Sequence, residues 1–338
     1  MVAVWLFLVC AMLLVMIVLG GATRLTGSGL SIMEWAPLLG ALPPLAEAEW
    51  QRLFALYKTI PQYALLNTDM DLAGFQRIFW LEWIHRLWGR MLGFVFLVPL
   101  VWFWARGKIE RGLRARLAVI FLIGGLQGVV GWFMVASGFF ADSTAVSPYR
   151  LVIHLALALL LYAAVLWTAL SLWRPLLSPD AADEGGARRI AAGACVVITL
   201  TILAGGFVAG LHAGLKYNSF PLMDGQLLPA GYASLAPFWR NFTENIAAVQ
   251  FDHRLLASFS FVAALAAAAA GWRLPRAHPA RRALVSLAGL VVVQYVLGVA
   301  TLLLVVPVAL AVAHQAMAVL VLTAALVALH ALRFRAVS

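Results

Sequence analysis

Apolar residues fall in long runs along this chain, and the polar ones gather in the gaps between them. Crossing about 30 Å of hydrocarbon takes about 20 apolar residues at 1.5 Å of helical rise each. Eight runs reach that length: 2–20, 78–104, 117–138, 150–173, 190–210, 246–271, 283–306 and 308–332. The pattern predicts an all-α integral membrane protein with eight transmembrane helices. Only a tight turn at Val306 and Pro307 parts the last two. A long polar loop rich in Gly and Pro, 21–77, follows the first span. Inside it Leu45–Tyr57 is amphipathic and reads as a surface helix. The stretch 175–189, PLLSPDAADEGGARR, reads as a solvated linker. It divides the chain into an N-terminal four-helix half, 1–174, and a C-terminal one, 190–338.

Composition agrees with the pattern. The 338 residues are 64% hydrophobic and 11% charged, against roughly 45–50% and about 25% in soluble domains. A soluble enzyme or binding module is excluded. The net charge of +10 would suggest nucleic acid in a soluble chain; here it is a topology signal, the chain's surroundings are membrane lipid, and no nucleic acid is expected. The connections after spans two, four and six, with the C-terminal tail, hold fourteen of the twenty-four Lys and Arg. These are Arg106, Lys108, Arg111, Arg114 and Arg116; Arg174, Arg188 and Arg189; Arg273, Arg276, Arg281 and Arg282; Arg333 and Arg335. By the positive-inside rule they are cytoplasmic, as are both termini, and the loops 21–77 and 211–245 face outward. The opening run has no basic leader and is too long for a signal peptide, so it reads as the first span. Cys10 and Cys195 sit inside apolar runs as small core residues.

The two halves resemble each other. At an offset of 185, Gly20-Gly21 falls on Gly205-Gly206, Cys10 on Cys195, Gly29 on Gly214 and Gly40 on Gly225. Further on, EWIHR falls on QFDHR, Gln127 on Gln294 and His154 on His314. Each half has an even number of spans, so the repeats run parallel, related by an axis along the membrane normal.

Four repeat-related histidines then carry the chemistry. His85, His154, His253 and His314 lie on spans two, four, six and eight, each about four to seven residues past the outer start, or roughly 6–10 Å deep. A lone membrane histidine is ordinarily a packing residue. Two per half at one depth, on different helices, suit a cofactor clamped inside a four-helix bundle. Zinc would want three or four clustered ligands, whereas two facing imidazoles suit axial ligation of a haem iron. Arginines at the outer ends, Arg24, Arg86, Arg90 and Arg254 among them, stand on the wrong side for a topology signal and fit acidic groups of the protein or haem propionates. His212, His278 and His330 read as solvated or packing residues.

The halves differ beside their first histidine: Glu82 precedes His85 by three, and Gln250 precedes His253 by three. Glu82 is either an ion-pair partner of Arg86 or Arg24, or a carboxylate able to move protons beside a bound cofactor. Glu244 reads as a cap or dipole partner of span six, Asp252 as a group that orients an arginine or His253, and Gln127 and Gln294 as interhelical packing. The tryptophans at the outer ends, Trp35, Trp80, Trp83, Trp88 and Trp239, read as an interfacial belt.

The segments GGATRLTGSGLSIMEWAPLLGALPPL, MDLAGFQRIFWLEWIHRLWGR, YNSFPLMDG, NFTENIAAVQFDHRLLA and LGVATLLLVVPVALAVAHQAMA resemble the haem A synthase family, most closely its mitochondrial and alphaproteobacterial branch. The resemblance runs through nearly the whole chain. It implies two four-helix bundles in a bacterial inner membrane and conversion of haem O to haem A by oxidation of the C8 methyl to a formyl group. His85 and His154 would flank the substrate haem, His253 and His314 would ligate a haem b, and Glu82 would be essential to catalysis. It also implies haem O synthase, a farnesyltransferase, as a supplying partner and cytochrome oxidase assembly as the setting, and it leaves room for a homo-oligomer. One departure stands out: the outer-loop cysteine pair of some members is absent here, so no loop disulfide carries over. Two rival readings remain at this stage, a dihaem electron-transfer cytochrome without substrate chemistry and a transporter built from parallel repeats.

Overall fold

A computed structural model describes residues 1–36, 39–173 and 184–333. Arg174 and Arg335 of the charge pattern, and 175–183 of the expected linker, lie outside the described residues. The described chain is helical apart from loops and one isolated bridge between Met223 and Gln226. In order the helices are α1 (Val2–Leu25), α2 (Glu47–Tyr57), α3 (Pro61–Leu66), α4 (Leu72–Ala105), α5 (Arg111–Ala136), α6 (Pro148–Trp173), α7 (Glu184–Gly210), α8 (Asn241–Glu244), α9 (Ile246–Arg273), α10 (Pro279–Leu303) and α11 (Val308–Ala331). Eight of these, all but α2, α3 and α8, are long and apolar enough to cross a membrane. These are the eight expected from the hydropathy runs, and the protein is a multi-pass membrane protein.

Local chemistry explains the boundaries. Asp71 caps α4 by accepting from the Gly74 amide at 2.7 Å, and Asn245 caps α9 through the amides of Ala247 and Ala248; short side-chain acceptors satisfy amides that have no partner within the helix. His278 caps α10 through the Ala280 amide, with Pro279 at the first helical position, where a missing N–H costs nothing. The cap at α9 corrects one expectation. Glu244, read as the cap, lies one residue too early and pairs instead with Arg240 at 2.6 Å. The expected linker is also shorter than its polarity suggested, because α7 already begins at Glu184.

Helix α4 is the longest, with 34 residues, about 51 Å at 1.5 Å each. Hydropathy alone starts it at 78; the cap at Asp71 starts it six residues earlier. The added residues bring Phe75 alongside Phe79 in a buried cluster with Leu30, Trp50, Leu53, Phe54, Tyr57, Ile60 and Val146. Helix α2 buries its apolar side there through Trp50, Leu53, Phe54 and Tyr57. The expected amphipathic helix is thus docked on protein. Tyr57 donates to Gln62 at 3.0 Å and accepts from Asn67 at 2.7 Å, so the buried phenol keeps its partners. α4 also runs unbroken through Pro99. Proline has no N–H to offer the carbonyl four residues back, and the indole of Trp5 on α1 donates to that carbonyl, Val95 O, at 2.7 Å.

The chain forms two compact units, Met1–Val165 and Leu166–Ser338, the division falling inside α6. In the first, α1 packs along α4, and α4 touches α5. In the second, α7 packs against α9 and α11, and α10 against α9 and α11, closing a ring of four neighbours. His330, in the last turn of α11, is buried there against Trp167 and Ser171.

Candidate haem-binding sites

Each of the four histidines packs against a glycine on a neighbouring helix. A Cβ placed at Gly20 would lie 3.2 Å from His85 Nε2, and one at Gly131 would lie 2.9 Å from His154 Cε1. In the second unit the same holds for Gly205 and His253 Cε1 at 3.0 Å, and for Gly298 and His314 Cε1 at 2.8 Å. Any larger residue would push the imidazole aside. Gly20 and Gly205 keep the offset of 185; Gly131 and Gly298 keep the 167 of Gln127 and Gln294. Within each unit the two histidines stand within electrostatic range of each other, His85 with His154 and His253 with His314. The glycine cradle was missed in the sequence, although extending the Gln127 and Gln294 register by four residues would have exposed half of it.

The depth of the histidines in their helices holds for three of the four. The histidine comes six residues after Pro148 in α6, seven after Ile246 in α9 and six after Val308 in α11. In α4 it comes thirteen after Leu72, because the extra turns of that helix lie beyond the apolar run.

Next to the first histidine of each unit, an arginine grips the loop that leaves the preceding helix. Arg86 donates to the carbonyls of Ile32 at 2.6 Å and Glu34 at 3.2 Å. Arg254 donates to the carbonyls of Tyr217 at 2.6 Å and Ser219 at 2.9 Å. The offset of 185 relates both acceptors, so the repeat extends to the backbone the arginines hold. The next loop aromatics, Trp35 and Phe220, keep the offset of 185, but they meet non-equivalent partners: Trp35 meets Trp132, centroids 5.2 Å apart, and Phe220 meets Tyr295 at 6.2 Å. Arg90 likewise donates to Ala36 O at 2.9 Å. Arg86, Arg90 and Arg254 thus all hold loop carbonyls, and Arg24 lies in the last turn of α1.

Glu82 and Gln250 occupy equivalent places with opposite polarity. Glu82 is buried at 2% exposure. Its Oε2 accepts from Ser31 Oγ at 2.6 Å and the Ile32 amide at 2.9 Å, and its Oε1 accepts from Arg86 Nε at 3.0 Å and Nη2 at 2.6 Å. Four acceptor positions are filled, as a buried carboxylate requires. Gln250, also buried, donates from Nε2 to the carbonyls of Ala213 at 2.9 Å and Lys216 at 2.6 Å and accepts from Arg254 at 3.1 Å. Both side chains tie a loop to a helix, one by accepting and the other mainly by donating. The ion pair of Glu82 is with Arg86.

The histidines differ in their tethers. His253 Nδ1 lies 3.1 Å from the carbonyl of Thr201. A carbonyl only accepts, so Nδ1 carries the proton and Nε2 keeps a free lone pair. Nδ1 of His154 and of His314 is buried with no hydrogen-bond partner. Gln127 Nε2 donates to His154 O at 3.0 Å, while Gln294 Nε2 lies 3.5 Å from the His314 ring. Asp252 does not orient His253; it accepts from Tyr232 OH at 2.8 Å. Among the described residues no group of three or more His, Cys, Asp or Glu gathers as a bare-ion site. Paired imidazoles on different helices, each seated against a glycine, are residues that would hold a haem iron.

Comparison with known proteins gives a consistent result. A family model described as "Cytochrome oxidase assembly protein" matches residues 3–326. A protein of Granulibacter bethesdensis named heme A synthase is 60% identical over 333 residues, covering 98% of this chain and 87% of that protein. Heme A synthase 2 of Acidiphilium cryptum is 50% identical over 339 residues, covering 99% of this chain and 92% of its own. Heme A synthase of Rhodospirillum centenum is 50% identical over 333 residues, covering 98% and 88%.

Proposed function

This chain belongs to the family of cytochrome oxidase assembly proteins, and we propose that it is a haem A synthase, an oxidoreductase that converts the C8 methyl of haem O to a formyl group. Four histidines at repeat-related places, each seated on a glycine, carry this reading. His85 and His154 would hold the substrate haem O, and His253 and His314 a resident haem b. When bound, the haems supply redox-active iron, and the substrate haem also presents the methyl that successive hydroxylations oxidise.

The protein's own part is to bind, orient and shield. Thr201 fixes the tautomer of His253 before any ligand arrives, and such a preset ligand suits a permanent cofactor. Among the described residues no such backbone tether reaches His85, and α4 and α5 lie along each other less closely than α9 and α10, which suits a substrate that must leave as product. Glu82 holds the loop 31–34 down beside His85 and keeps a negative charge there, balanced by Arg86. Arg24, Arg86, Arg90 and Arg254 are together the candidates to face haem propionates, the last three while holding the loop carbonyls beside them. The positive-inside pattern supports cytoplasmic termini in a bacterial inner membrane, and haem O synthase is the natural supplier of substrate.

Expression in a host that makes haem O tests this. Haem A should accumulate with the wild-type chain and fall at least roughly tenfold with His85→Ala or His154→Ala, while haem b per chain stays constant. Unchanged haem A in both variants would overturn the assignment.

A further inference from the structure

Because the units match so closely around their histidines, the positions where they part company are informative. An offset of 168 carries α4 onto α9, taking His85 to His253 and Arg86 to Arg254. An offset of 167 carries α5 onto α10, taking Gln127 to Gln294 and Gly131 to Gly298. In these registers Gly93 corresponds to Phe261, and Gly128 to Tyr295. In the second unit the two rings meet, centroids 5.3 Å apart. Tyr295 OH shares a hydrogen bond with Ser258 on α9 at 3.1 Å, and Phe220 closes on the same ring. In the first unit a Cβ at Gly93 or at Gly128 meets nothing within 4 Å. Where the second unit has an interlocked aromatic pair, the first has open space.

That space adjoins the candidate substrate site. Gly128 is one turn along α5 from Gly131, which touches His154, and the buried Nδ1 of His154 lacks a partner there. Its surroundings in sequence carry no charge: α4 has no ionisable residue from Gly93 to Ala105, and α5 has none from Leu117 to Ala136, where Gln127 is bonded to the His154 carbonyl. A hydrocarbon ligand gains from every methylene it buries in such a place, while a charged one would lose its hydration.

We propose that the space flanked by Gly93 and Gly128 receives the long isoprenoid side chain of the substrate haem, and that Phe261 and Tyr295 fill the equivalent space in the second unit. This deepens the reading of the first unit as the haem O site and rests on it. Haem O and haem b share a macrocycle and differ most in that one chain. Two copies of one bundle that must sort them have to read it. Filling the cleft in one copy rejects the chained haem by steric exclusion, a form of selection by built-in clash.

The test fills the first cleft and opens the second. Full-length wild-type protein and the variants Gly93→Phe/Gly128→Tyr and Phe261→Gly/Tyr295→Gly are purified from cells making both haem O and protohaem. The haem extracted per chain is then separated by type. In the filled variant, haem O plus haem A should drop roughly tenfold or more, while protohaem per chain is kept or rises. In the opened variant, haem O per chain should exceed the wild-type value. Should the filled variant lose both haems through misfolding, the opened variant decides alone, and an unchanged haem O content in it overturns the proposal. Undiminished haem O in a filled variant that still carries protohaem also overturns it, and loss of co-purifying phospholipid with haem O retained would assign the cleft to a lipid acyl chain instead. Failure of the underlying reading looks different: His85→Ala would then leave the haem O content of the unfilled protein unchanged.

Discussion

Glu82 and Gln250 differ by one atom in the side-chain head, and that atom decides which way the hydrogen bonds of two loops run. Glu82 accepts from Ser31, Ile32 and Arg86; Gln250 donates to Ala213 and Lys216. Replacing Glu82 by Gln turns an acceptor into a donor beside the Ile32 amide and leaves the Arg86 guanidinium without its buried counter-charge, at a cost of roughly 3 kcal/mol. Glu82→Gln should therefore cut haem A formation at least about tenfold and at the same time expose the segment 26–36 to protease. Loss of haem A with the segment still protected would show a purely chemical role, and normal haem A would remove Glu82 from the mechanism. The sequence placed this acid beside a ligand and named Arg86 as a partner. It gave no sign of the saturated acceptor set, because Ile32 contributes a backbone amide, which has no signature in the sequence. The tether of His253 to the Thr201 carbonyl was hidden for the same reason.

Among the elements, helix existence follows from apolar runs, but helix ends follow from capping. The run starting at 78 located α4 and missed its first six residues, because their start is set by the Asp71 cap and Phe75 among them packs into a protein core beside α2. At α9 the true cap, Asn245, stood one residue after the acid expected to serve. Contacts between elements set the next prediction. Gly131→Ala and Gly298→Ala each place a methyl under 3.0 Å from a histidine ring carbon, an overpacking worth about 1–3 kcal/mol. Gly298→Ala should lower haem b per chain, whereas Gly131→Ala should lower haem A and spare haem b. Gly193→Ala, where a Cβ meets nothing within 4 Å, should change neither, and pigment content of the purified variants checks all three. On the loop side, hydrogen bonds from Arg52 hold Glu34 and Glu49 below the ordinary carboxylate range. Both pKa values are depressed in the folded state, so their contribution is present above the unfolded value and is lost as pH falls through the folded one. The pairs are well exposed, so the effect is small and screened by salt. The hydrogen-exchange protection factors of 47–57 should fall as pH drops below about 4, and Arg52→Ala should remove that pH dependence.

For the molecule as a whole, duplication explains more than any single motif. Histidines, cradling glycines, loop-gripping arginines and even the gripped carbonyls recur at fixed offsets, as expected if one bundle was copied and each copy kept the machinery for holding a tetrapyrrole. The departures, Glu82 against Gln250, Gly93 against Phe261 and Gly128 against Tyr295, then mark what one copy does and the other does not. A dihaem cytochrome with two equivalent sites gives no reason for these differences. The whole account stands on two different haems being held by one chain, and quantifying the haems extracted from purified wild-type protein, made where haem O is supplied, tests it most directly. It predicts haem b together with haem O or haem A in comparable amounts per chain; protohaem as the sole pigment would contradict it.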